Sequence, residues 1–239
     1  SEGFIVSTTS ITSQTFAVSP SLLPDNATAN YKRWLGKWAV TSTSSETSST
    51  SYTFYITIKP NVINSSYKIT GWGYTTYANL VDIAATYYAS TGALRVTGNQ
   101  ADLYTTSTGT IYLANRYVNR DTGSGYGILN STNAANLAAT YGETGKATMV
   151  GRNGSLTSGV NFTITSLELY ERRSGSTSYY YLPIAAGYTS LDYFVGPYTM
   201  VQTVDPEGNV ISDTPETTAS QAFGPVAAPS GSASCTARE

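Results

Sequence analysis

The chain has 239 residues, no histidine and one cysteine, Cys235, so Ser–His–Asp and Cys–His catalytic sets, histidine-ligated metal sites and any internal disulfide are excluded. A net charge of −2 and a pI of about 5.2 give no electrostatic footprint for nucleic acid, which is not expected as a partner. No run reaches the ~18 apolar residues of a membrane helix, so no transmembrane segment is expected.

Charged residues make up only 12% of the chain, against roughly a quarter in an ordinary soluble domain. Serine, threonine, glycine and 20 tyrosines fill the difference. β-branched and aromatic side chains fit a pleated, half-buried surface, which points to an all-β fold. The composition, rich in Ser and Thr and poor in Lys, resembles that of exported bacterial proteins more than that of cytosolic enzymes. A secreted or cell-surface location is expected, a lipoprotein anchored at the outer membrane included, with the leader absent from this chain. Five N-x-S/T triplets begin at Asn26, Asn64, Asn130, Asn153 and Asn161, a number that so Ser/Thr-rich a chain produces by chance.

Residues 1–18 hold short alternating runs, with Phe16 and Val18 on one face, and Ser19 to Asn26 reads as a proline-containing linker. Residues 1–29 are therefore a strand extension and linker, or the end of a preceding module. From Tyr31 a short helical or coil approach leads into a strand in which Gly36, Trp38 and Val40 share one face. Thr41 to Ser51 is nearly all Ser and Thr, with Glu46 its one acid, and reads as a mobile, exposed loop. Tyr52 to Lys59 alternates cleanly: Tyr52, Phe54, Ile56 and Ile58 on one side, Thr53, Tyr55, Thr57 and Lys59 on the other. Pro60-Asn61 turns it, and Tyr67 to Trp72 returns as the second arm of a hairpin.

A weak internal repeat follows. Ile83-Ala84-Ala85-Thr86-Tyr87 leads through Thr91-Gly92 to Leu94-Arg95-Val96, and Leu137-Ala138-Ala139-Thr140-Tyr141 leads through Thr144-Gly145 to Thr148-Met149-Val150. Each copy reads as strand, glycine turn, strand, although the alanines of the second also permit a helical start. Between the copies lie a strand at Thr110 to Ala114 and a glycine turn at Asn119 to Gly125. Val160 to Tyr170 is a long strand whose apolar parity changes from Phe162 and Ile164 to Leu167 and Leu169. A bulge near Thr165 or Ser166 reconciles its halves. Tyr179 to Ile184 and Asp192 to Val204 complete ten to twelve strands. Residues 206–239 form a polar tail, leaving 30–205 as the β domain.

Trp34-Leu35-Gly36-Lys37-Trp38-Ala39-Val40-Thr41, with Gly-x-Trp at the head of a strand, resembles the calycin (lipocalin-like) pattern. Tyr52 to Lys59 and Tyr67 to Gly73 look like segments of the lipocalin-like modules in exported surface proteins of gut Bacteroidetes. The resemblance implies an antiparallel lipocalin-like barrel or a closely related sandwich, and, since such modules often follow an immunoglobulin-like domain, it fits residues 1–29 as the end of one. It also implies that Trp38 closes one barrel end beneath a basic side chain from the last strands, here Arg172 or Arg173.

The candidate ligand-binding residues are aromatic: Trp34, Trp72 between its two glycines, Tyr74, Tyr77, Tyr179 and Tyr181. Flat rings of this kind stack on sugars and other flat ligands. A two-carboxylate hydrolase needs acids about 5–9 Å apart. Glu168 and Glu171, three residues apart on one strand, point to opposite faces and are expected to meet solvent or pair with Arg172 and Arg173. Asp121 to Gly125 lacks the acidic density of a calcium loop and reads as a turn. No metal, cofactor or catalytic residue is assigned. The expected role is a non-catalytic cell-surface module that binds a glycan or a small amphipathic ligand through exposed aromatics. A structural or adhesive module with a protein partner, and a carboxylate hydrolase, are the alternatives.

Overall fold

The computed structural model describes residues 23–73, 75–129, 136–182 and 193–211. A single helical turn, α1 (Ala29–Lys32), precedes β1 (Gly36–Thr41); β2 (Ser44–Ser45) lies in the Ser/Thr segment. A meander follows: β3 (Thr53–Val62), β4 (Ser66–Thr70), a 3-10 turn over Thr76–Asn79, β5 (Ile83–Tyr88) and β6 (Ala93–Val96). The chain then leaves through β7 (Gln100–Thr105), β8 (Gly109–Asn119) and β9 (Ser124–Leu129), and returns as β10 (Leu137–Tyr141) and β11 (Lys146–Gly151). A second excursion runs through β12 (Asn153–Ser155), β13 (Asn161–Arg173) and β14 (Tyr179–Tyr181). Finally β15 (Phe194–Val195) pairs with β2, and β16 (Tyr198–Val204) ends the regular structure.

The fold is all-β. Eight strands close into an antiparallel barrel in the order β1-β16-β11-β10-β6-β5-β4-β3, and the two excursions together make a six-stranded second sheet. Each barrel strand neighbours the next barrel strand along the chain, so the topology is up-and-down once the excursions are set aside. The cause is the period-two pattern. Trp38, Val40, Phe54, Ile56, Ile58, Tyr67, Ile69, Ile83, Ala85, Leu94, Val96, Leu137, Ala139, Met149 and Met200 all point inward and are buried. The intervening residues are largely Thr, Lys, Arg and Tyr and face outward. No helix among the described residues is long and apolar enough to cross a membrane.

Both repeat copies are hairpins, β5–β6 and β10–β11, and they lie side by side, with Leu137 opposite Val96. The second copy starts as a strand and not as a helix. The parity change in β13 is resolved as expected: its register against β8 shifts between Ile164 and Ser166. Six of the strands beyond the barrel's eight belong to the second sheet and β2 and β15 form a two-stranded one, which distinguishes a barrel from a sandwich.

Two expectations are corrected. The Ser/Thr segment is not an exposed loop in its first half. Ser42 and Ser45 are buried, the Ser42 hydroxyl accepts the Tyr52 N–H (2.9 Å), and the Ser45 hydroxyl accepts the Ser48 N–H (3.0 Å). Local hydroxyl-to-backbone bonds of this kind let a polar segment pack. Nor does Arg172 or Arg173 sit on Trp38. The cation beside the tryptophan pair is Arg33, which follows α1 and lies 4.4 Å over the ring of Tyr141, itself edge-on to Trp34 and Trp38. The strands of residues 1–18, Asp192, Cys235 and the tail beyond 211 lie outside the described residues.

Gly36, the glycine of Gly-x-Trp, has φ +111°, and a Cβ there would stand 2.1 Å from the Val204 carbonyl oxygen across the β1–β16 pairing. Gly159 has φ +86° with open space around it. Gly159→Ala should therefore lose only the backbone term, about 1–2 kcal/mol, whereas Gly36→Ala adds a backbone clash at the barrel seam and should lose more than about 3 kcal/mol. Equilibrium urea unfolding of both variants measures the difference; equal losses would contradict the close approach.

Candidate functional site

Of the six sequence-predicted residues, the two tryptophans are internal. Trp34 is sealed at the α1 end of the barrel, where its Nε1 donates to the Gly92 carbonyl (2.8 Å) and its ring lies 5.7 Å from Trp38. Trp38 Nε1 donates in turn to the Trp34 carbonyl (2.9 Å). Trp72 is sealed at the opposite end. Its Nε1 donates to Leu167 of β13 (2.8 Å), and its ring packs edge-on to Phe54 (5.0 Å) and Tyr198 (5.9 Å). With every indole N–H satisfied and both rings covered, these residues are packing pegs, not ligand platforms. Tyr74 and the side chains of Tyr179 and Tyr181 lie outside the described residues; the backbones of the latter two form β14 along β13.

Tyr77 is half-buried in the 3-10 turn, with its ring 6.0 Å from Tyr104. The same turn borders a cleft of about 390 Å³ lined by Tyr52, Thr53, Phe54, Tyr55, Gly71, Gly73 and Asn79. Tyr55 stands on the outer face of β3 and is 63% exposed. Its backbone carbonyl explains the first glycine flanking Trp72: a Cβ on Gly71 would meet that oxygen at 2.4 Å. The Gly71 N–H donates to the Ala78 carbonyl (2.6 Å), which folds the 71–79 segment onto itself. The glycines thus serve a backbone approach, and that approach shapes the wall of a surface cleft. Tyr55 is the residue that sequence reasoning passed over. Its signal was present, because it is the aromatic on the Thr/Lys parity of β3.

The acids are engaged elsewhere. Glu46, from the Ser/Thr segment, forms a two-pronged ion pair with Arg116 of β8: Nε to Oε1, and Nη2 to Oε2 at 2.8 Å. The guanidinium also stacks 3.6 Å over the Tyr193 ring. Glu168 was expected in solvent and is instead buried, accepting from the Ser166 hydroxyl (2.8 Å). Burial pushes its carboxyl up to about 8, and the Ser166 hydroxyl and the Arg116 charge only partly offset this. Glu171 is held down to about 2, first by the hydroxyls of Thr106 (2.6 Å) and Thr108 (2.5 Å) and then by Arg173, whose Nε lies 3.0 Å away. The expected Glu171–Arg173 pairing is present. Asp121 accepts from the Asn161 amide (3.0 Å) as part of a turn. Among the described residues no three Cys, Asp or Glu side chains gather as a metal-ligand set. Glu168 is 2% exposed and does not line the cleft beside Tyr55.

The pH consequence follows from linkage. Folded Glu168 keeps its proton up to about 8, while the unfolded chain loses it near 4.5. Between those values the native state binds more protons, so its stability falls as pH rises, by at most ~1.4 kcal/mol per pH unit, and levels off above. Glu168→Gln should flatten this part of the stability–pH curve and raise stability at pH 8. Denaturant midpoints taken from pH 5 to 9 test this; parallel curves for the two proteins would exclude a proton on Glu168.

Compared with family models, with curated proteins and with solved structures, the chain matches none, so its functional reading rests on geometry.

Proposed function

We propose that this chain is a non-catalytic binding module built on a lipocalin-like barrel. It is exported to the bacterial surface, as in the Bacteroidetes proteins it resembles, and takes a glycan or small amphipathic ligand. The barrel topology and the sealed Trp38 after Gly36 support the lipocalin-like reading. The ligand goes to the outer wall, since the barrel axis is filled with side chains from one end to the other. The observation that carries the proposal is the exposed Tyr55 ring on the cleft it shares with Asn79. A phenol ring beside an amide is a compact surface for a ligand with apolar faces and hydroxyl edges. The ring gives contact area with little rotamer entropy to lose, and the amide both donates and accepts. The hydrogen bond from Gly71 N–H to the Ala78 carbonyl and the 3-10 turn over Thr76–Asn79 hold this edge of the cleft in place, which limits the ordering cost of binding. Glu46, Glu168 and Glu171 are each engaged by partners within the fold, which favours the binding reading over the carboxylate hydrolase.

A glycan array followed by titration calorimetry tests the reading. Tyr55→Ala, on an exposed position, should leave the melting temperature unchanged and weaken the best array ligand roughly tenfold, the loss of about 1.4 kcal/mol expected for one stacked ring. An array without hits, or a hit that Tyr55→Ala binds as well as the parent does, would refute it.

A further inference from the structure

A second surface feature lies across the barrel from Tyr55, where β6, β10 and β11 run side by side; β10 and β3 are opposite in the ring of eight. A cleft of about 370 Å³ is lined there by Arg95, Asn136, Ala138, Val150, Gly151 and Arg152. Two of the six are guanidinium groups, and no carboxylate lines the cleft. The ion pairs among the described residues are Lys68–Asp82, Arg116–Glu46, Lys146–Glu143 and Arg173–Glu171. Neither Arg95 nor Arg152 has an acidic partner in that set.

Asn136 supplies the independent observation. It is wholly buried, and its backbone is fixed on both sides: its N–H donates to Val96 O (2.9 Å) and its carbonyl accepts from Arg152 N (2.9 Å). Its Oδ1 accepts from Arg152 Nε (3.2 Å), which also settles the orientation of the amide, because a guanidinium N–H can face only an acceptor. The Nδ2 is thereby left over, and it is a buried donor with no partner among the described residues. A dry, unmatched N–H of this kind is costly, and it calls for a group that accepts hydrogen bonds.

The two arginines are held rather than loose. Arg95 lies 3.5 Å over the Tyr88 ring on the outer face of the barrel. Arg152 is braced by Asn136 and lies 5.2 Å from the Phe162 ring. Every polar side-chain group left over in the cleft is an N–H donor, two of the donor sets are charged, and Ala138 and Val150 form an apolar edge. We infer that this cleft binds an oxyanion, a carboxylate or a sulfate or phosphate group, by guanidinium forks and the Asn136 amide. The bearer of the anion lies over Ala138 and Val150. The site is independent of the Tyr55 cleft and does not require the glycan reading.

The test is nitrogen-15 NMR on the intact chain, following the Asn136 side-chain amide and the Arg95 and Arg152 Nε–H signals. Sodium sulfate, sodium phosphate, sodium glucuronate and neutral glucose are titrated at constant ionic strength set with sodium chloride. At least one oxyanion should produce a saturable shift at Asn136 and Arg95, and glucose none. Tighter glucuronate binding would identify an organic carboxylate as the natural group, and tighter sulfate or phosphate binding an inorganic or ester anion. Arg95→Gln should weaken the binding at least tenfold. Val150→Glu, which places a negative charge at a side chain already 47% exposed, should abolish it, while Tyr55→Ala leaves it intact. Arg152→Gln is the less clean variant, because Arg152 also braces Asn136. Shifts that stay linear with every anion, or that persist unchanged in both Arg95→Gln and Val150→Glu, would overturn the inference.

Discussion

Two indole N–H groups determine what this barrel can hold. An eight-stranded barrel has an interior just wide enough for its own side chains, or for one small ligand if some of them are withheld. Here none is withheld along the axis. Trp38 and Tyr67 fill one end under Trp34, Met149 and the isoleucines fill the middle, and Phe54 and Tyr198 meet Trp72 at the other end. Each end also presents a backbone carbonyl oxygen that accepts the indole N–H, Gly92 at one, which Arg33 Nη2 also approaches at 3.4 Å, and Leu167 at the other, and an unpaired buried donor costs about 1–3 kcal/mol. Tryptophan answers both needs with one side chain, a large apolar plate and a single donor at its edge. Once Trp34 and Trp72 occupy these places, the space between them is taken up by the barrel's own buried side chains.

The same economy of space accounts for the charged cluster at the capped end. β13 is buried on both parities from Ile164 to Glu171, in contact with β10 and β11 of the barrel and with β15 as well as with its own sheet. A strand covered on both sides has no solvent face on which to leave its polar residues, so Ser166 and Glu168 are buried with the rest. The nearby Arg116 charge is already matched by Glu46 and by the Tyr193 ring, and Glu168 therefore avoids the cost of a naked charge by keeping its proton. Glu171, one turn of the alternation away, meets two hydroxyls and Arg173 at the sheet margin and stays ionised. Two glutamates three residues apart thus take opposite protonation states, and the difference lies entirely in what each side chain touches.

Which of these features could be read from the chain follows the range of the forces involved. Strand parity is local, so the inward set of β3, the hairpin to β4, the two repeated hairpins and even the bulge after Ile164 were legible. The Gly-x-Trp at the head of β1 was legible as an end plug. The fate of Thr41 to Ser51 was not, because its burial depends on Arg116, some seventy residues away, and on the pairing of β2 with β15. The cation near Trp38 was missed for a related reason: Arg33 reaches the tryptophans through Tyr141 on β10, a contact that only barrel closure creates. The tryptophans were read as platforms because an aromatic between glycines is chemically the same whether it faces water or a neighbouring sheet. Tyr55 carried the better signal, because an aromatic on the polar parity of an amphipathic strand has no core to fill.

Parity also bears on the opposite wall. The chain carries 15 acidic and 13 basic residues, so acids are not scarce. Among the described residues four of the cations find one: Lys68, Arg116, Lys146 and Arg173. Lys68–Asp82 joins β4 to the start of β5 as cross-strand pairing favours, Lys146–Glu143 lies within one hairpin turn, and Arg173–Glu171 lies along one strand. Arg95 sits in the same kind of environment, flanked by Thr86 on β5 and Ala138 on β10, at positions where an acid would be equally compatible with a strand. The register opposite it instead presents hydroxyl and methyl groups, and the nearest fixed polar neighbour, Asn136, turns its acceptor toward Arg152 and keeps its donor unmatched. Other cations among the described residues, Lys59 and Arg172 among them, also have no acid in that set; what marks this wall is that two guanidinium groups line one cleft with a buried amide donor that has no partner. The side chains of that wall agree in what they lack, and what they lack is an acceptor.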